Sequence, residues 1–69
     1  MSKNKIEGDI NFNLRSLKLG EDYTVEAKIG GGQKEAHVTF ANAKHLEEHG
    51  PGLEKLAKQN EFTVVLKAA

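Results

Sequence analysis

The chain has 69 residues, with ten lysines and arginines balanced by ten aspartates and glutamates, and no cysteine. That length allows one domain with a thin core, since a chain of this size buries only about 60% of its unfolded surface. The zero net charge lacks the basic excess of a nucleic-acid or anionic-membrane surface, and without cysteine there is neither a disulfide framework nor a thiolate metal site.

An apolar content of 38% with interspersed charge marks a folding chain rather than a disordered one. No segment has the apolar length of a membrane helix or a signal-peptide core. With no cysteine either, the expected location is cytoplasmic. Residues 1–69 read as a single domain whose first four residues are polar and frayed.

From Ile6 the chain alternates, with Ile6, Gly8, Ile10, Phe12 and Leu14 on one side and Glu7, Asp9, Asn11, Asn13 and Arg15 on the other. Period two is the signature of a strand with one buried face, so a long first strand is expected here, bent at Gly8. Gly20-Glu21-Asp22 makes the following turn. Tyr23 to Ile29 and Glu35 to Phe40 alternate in the same way, and between them lie Gly30, Gly31 and Gly32. Glycines supply the positive φ that a tight reversal requires, so the two runs read as a β-hairpin.

After Phe40 the period lengthens. Asn42 is a good N-cap, and Leu46, His49, Leu53 and Leu56 recur at helical spacing. Gly50-Pro51-Gly52 interrupts the pattern, and an interior proline removes a helix hydrogen bond. Two short helices, 42–49 and 51–59, are therefore expected, with Asn60 as the final cap. Phe62, Val64 and Leu66 then mark a last strand.

These elements compose an α+β fold of order β-β-β-α-β. The expected sheet is four-stranded and mostly antiparallel, in spatial order 3-2-1-4, with the broken helix covering one face. The last strand runs parallel to the first and third. A small OB-like open barrel is the alternative, although it needs a fifth strand. The expected core is Ile6, Ile10, Phe12, Leu14, Tyr23, Val25, Ala27, Ile29, Val38, Phe40, Leu46, Leu53, Leu56, Phe62, Val64 and Leu66.

His45-Leu46-Glu47-Glu48-His49 fits H-x-x-E-H, a zinc pattern in which two imidazoles lie one helical turn apart. A catalytic site of that kind also needs a third ligand, a water position and an enclosing cleft. Glu54 or Glu61 would have to be recruited as that ligand, so His45 and His49 read only as a weak adventitious pair, with no metal or other cofactor expected. The triple glycine joins two strands instead of opening a helix, which argues against a phosphate cradle. No nucleophile–base–orienter set is visible, so an enzyme is not expected.

All four aromatics fall on the apolar sides of their runs, leaving no platform on which bases could stack. Nucleic acid is thus a disfavoured partner, with a weak OB-like binder as the alternative. The favoured reading is a small protein-interaction module that pairs with itself through a sheet edge. In the 3-2-1-4 order the edges are Glu35–Phe40 and Glu61–Ala69. The candidate interaction residues are accordingly Glu35, His37, Thr39, Thr63, Val65 and Lys67.

Overall fold

The computed structural model describes residues 2–69 and has the order α1 (Lys3–Asn13), β1 (Tyr23–Gly30), β2 (Gln33–Phe40), α2 (Ala43–Gln59) and β3 (Thr63–Ala68). The fold is α+β, but the sheet has three strands, is mixed and is open, in order β1-β2-β3. It is neither the expected four-stranded 3-2-1-4 sheet nor an OB-like barrel. The difference begins at the first element, which is a helix.

Ser2 caps α1, its Oγ accepting the Lys5 N–H at 3.2 Å, and Lys5 Nζ reaches Asp9 one turn on at 2.8 Å. Ile6, Ile10 and Leu14 are completely buried. At roughly 100° per residue these three span an arc of about 80°, whereas Gly8 and Phe12 point to the far side. Phe12 is correspondingly 69% exposed, which removes it from the expected core.

β1 and β2 form the hairpin that the alternation implied, with Gly30 opposite Gln33 and a two-residue turn between them. Gly31 and Gly32 have φ of 57° and 79°, the doubly left-handed geometry of a type I′ turn. Tyr23, Ala27, Ala36, Val38 and Phe40 are buried on the helix side of the sheet. Ile29, near the turn, is 45% exposed and also leaves the expected core.

α2 is one continuous helix, not two, and carries Pro51 in its interior. Asn42 caps it, with Oδ1 accepting the His45 N–H at 2.9 Å. Leu46, Gly50, Leu53 and Ala57 follow one another at spacings of four, three and four on the sheet-facing side, and Leu53 is fully buried. Gly50 lets the helix lie close to the sheet, because a Cβ there would stand 3.2 Å from Leu66 Cδ1. Continuous burial of this stripe offsets the interior proline, whose lost hydrogen bond and ring clash cost about 3 kcal/mol.

Asn60 ends α2 as expected, and Glu61 then adopts a left-handed φ of 59°. The Phe62 N–H reaches back to the Ala57 carbonyl at 3.0 Å, closing a Schellman-type end that turns Phe62 into the core. β3 then pairs with β2 in parallel, Glu35 opposite Thr63 through Phe40 opposite Ala68. It therefore lies beside the hairpin's second strand, since no strand precedes the hairpin for it to join.

The first element generates a direct test. Gly8 lies exposed inside α1, and nothing lies within 4 Å of a Cβ placed there. Gly8→Ala is expected to stabilise the fold by about 0.5–1 kcal/mol in urea titration, from helix propensity alone. A loss of stability would contradict a helix at this position.

Candidate functional site

The six residues expected to form an interaction surface fall on the sheet face turned away from the helices. They make two adjacent columns, with Glu35 opposite Thr63, His37 opposite Val65 and Thr39 opposite Lys67. Across β2 the same face continues through Thr24, Glu26 and Lys28. His37 Nε2 lies 3.2 Å from Glu35 Oε1, and Lys28 Nζ lies 3.7 Å from Glu26 Oε1. The face is polar and of mixed sign, with Val65 as its one half-buried aliphatic side chain.

β2 is the central strand, so Glu35, His37 and Thr39 do not lie at an edge. That corrects the expected edge at Glu35–Phe40, a consequence of the missing first strand. The two real edges are β1 and β3, and they are finished differently.

Along β1 the Ala41 N–H bonds to the Asp22 carbonyl at 2.8 Å, which sets the phase of the ladder. Thr24, Glu26 and Lys28 direct their backbone groups to β2, and Tyr23, Val25, Ala27 and Ile29 direct theirs outward. Two of those outward positions are occupied. The Tyr23 carbonyl accepts the Gly20 N–H at 2.8 Å, and the Ala27 N–H donates to Glu7 Oε2 of α1 at 2.9 Å. The Tyr23 hydroxyl also donates to Asn11 Oδ1 at 2.8 Å, and burial pushes its pKa above the usual 10.0.

β3 has no such cover. The Ala69 N–H donates to the Phe40 carbonyl at 2.9 Å, so Thr63, Val65 and Lys67 face β2 and Val64, Leu66 and Ala68 face outward. The strand contains no proline, and among the described residues no side chain caps those three positions. Their outward orientation depends on the parallel register. It could have been read from the sequence only with β3's neighbour known.

A second group of polar side chains gathers on α2. His45, Glu48 and His49 present one donor atom each, all within 4.8 Å of one another. The carboxylate that joins the two histidines is Glu48 of the motif itself, not Glu54 or Glu61. His45 Nδ1 is shut off from solvent without a hydrogen-bond partner, and His45 Nε2 stands 3.9 Å from Asp22 Oδ1.

The surface suited to base stacking differs from expectation in one respect. Phe12 is exposed, but the Arg15 guanidinium lies over its ring at 4.6 Å. Lys3 and Lys5 sit at the opposite end of an 11-residue helix, about 16 Å long, from Arg15 and Lys18. A depression of about 140 Å³ lies between Gly20, Tyr23, Thr39 and Ala69. It is well below the usual volume of a small-molecule site, about 300 Å³ and upward. No helix among the described residues is long and apolar enough to cross a membrane.

No protein-family model, curated protein or solved structure matches the chain.

Glu7 was invisible as a functional residue while residues 6–14 read as a strand. Spacing Ile6, Ile10 and Leu14 on a helix instead places Glu7 at the margin of the buried stripe, within reach of β1. Glu7→Ala is expected to cost about 1–2 kcal/mol in chemical denaturation, because it leaves the Ala27 N–H unpaired. Unchanged stability would show that this hydrogen bond does not hold α1 to the sheet.

Proposed function

We propose that this protein is a non-enzymatic interaction module whose docking element is the outer edge of β3, and that its partner there is a second copy of the same chain. The observation that carries this reading is the contrast between the edges. β1 is capped in part, at the Ala27 N–H by Glu7 and at the Tyr23 carbonyl by Gly20, with Val25 and Ile29 left outward. On β3, Val64, Leu66 and Ala68 all hold their N–H and C=O groups outward, without a cap among the described residues. Unpaired backbone at an uncapped edge is a template for another strand.

The chemistry of β3 favours a copy of itself. An antiparallel pair centred on Leu66 brings all three outward residues into register, Val64 against Ala68 of the partner and Leu66 against its own counterpart. On the polar face the same register sets Lys67 against Val65, so no like charges oppose each other. The half-buried Val64 and Leu66 side chains gain cover from the second copy. A net charge of zero adds no global repulsion to the encounter. The result is a six-stranded sheet, with Glu35, His37, Thr39, Thr63, Val65 and Lys67 of both copies forming one continuous open face.

Light scattering over a wide range of concentration tests this reading. The native chain is expected at twice its 7.6 kDa mass. Ala68→Pro is expected at the monomer mass with its fold intact, because the lost N–H points away from β2. A native chain that stays monomeric, or an Ala68→Pro variant that stays dimeric, would overturn it.

A further inference from the structure

We propose that His45, Glu48 and His49 form a binding site for a divalent transition-metal cation of the zinc type. The site rests on the helix geometry of α2 and is independent of the β3 edge. The Asn42 cap fixes where α2 begins and so places His45 in its first turn. Positions three and four residues on lie over the same face, which brings Glu48 and His49 beside it.

Donor atoms within 4.8 Å of one another are close to a coordination shell. Metal–ligand bonds of about 2.0–2.1 Å in a tetrahedron put the donors about 3.3 Å apart, a closure within reach of small rotations of two half-exposed histidines and an exposed glutamate. Two imidazoles and one carboxylate suit zinc and its neighbours in the first transition row. Calcium and magnesium prefer all-oxygen shells. A fourth position stays open to water.

Two further features point to a ligand at this place. His45 Nδ1 is buried without a partner, an arrangement in which a desolvated ring nitrogen has nothing to offset its lost hydration. Asp22 stands at the other side of the same ring, its Oδ1 3.9 Å from Nε2, and its Oδ2 is fixed by the Lys18 N–H at 2.8 Å. At 3.9 Å that carboxylate makes no hydrogen bond to the ring but places a negative charge beside it. The positive end of the helix dipole opposes a cation here, and the Glu48 and Asp22 charges counter it.

The test is titration of zinc chloride into the intact protein, followed by the histidine ring resonances and by calorimetry. One equivalent is expected to bind, shifting His45 and His49 and leaving His37, on the opposite face of the sheet, unmoved. His49→Gln and Glu48→Gln are each expected to weaken binding by at least about tenfold, and Asp22→Asn by about tenfold. Affinity should fall as the pH is lowered, because protons compete for the imidazoles. Magnesium chloride should shift none of these resonances. Equal shifts at all three histidines, or affinity undiminished in His49→Gln, would mean an adventitious ion only and overturn the proposal.

Discussion

Everything in this fold follows from one sheet face that must be kept from water with very little chain. Three strands present an apolar surface built from Tyr23 and Ala27 of β1, Ala36, Val38 and Phe40 of β2, and the partly buried Val64 and Leu66 of β3. Two helices cover it, α1 with Ile6, Ile10 and Leu14 over β1, and α2 with Leu53 and Ala57 over β3. Because α1 is needed as cover, its Glu7 comes within reach of the β1 edge, and the same packing that builds the core caps that edge at Ala27. Because α2 returns the chain in parallel beside β2, β3 is left outermost and open. The asymmetry of the two edges is thus a consequence of how the core is covered.

The hairpin was legible in the sequence because both its signals are local: strict alternation and glycines where a type I′ turn needs positive φ. α1 was not, for a physical reason that particular residues make plain. Ile6, Ile10 and Leu14 are four apart, a spacing that satisfies a strand of period two and a helix of period 3.6 alike. Within the apolar run itself, Gly8 and Phe12 separate the two. A strand would bury Phe12, and the helix exposes it. Ser2, in position to cap, and the Lys5–Asp9 pair one turn apart were the available helix signals.

Pro51 misled in the opposite direction. Its local cost predicts a break, while the stripe from Leu46 to Ala57 that keeps α2 whole is a tertiary effect. The expected interaction residues share one face because side-chain alternation is local. The assignment of Glu35, His37 and Thr39 to an edge fails with the strand count, while the strand of Thr63, Val65 and Lys67 is an edge as expected. Of the histidine motif, the spacing was visible in the sequence. The approach of Asp22 and the burial of His45 Nδ1 are tertiary features that the spacing does not carry.

The polar face and the open edge are contiguous, since β3 carries Thr63, Val65 and Lys67 on that face and holds the backbone groups of Val64, Leu66 and Ala68 outward. The proposed pairing would draw its backbone contacts and its selectivity from the same strand. Amide hydrogen exchange, followed residue by residue in dilute and in concentrated solution, tests the account most directly. Ala27 is expected to exchange slowly in both, held by Glu7, while Val64, Leu66 and Ala68 exchange fast when dilute and slowly when concentrated. Fast exchange at Ala27 together with concentration-independent rates along β3 would contradict it.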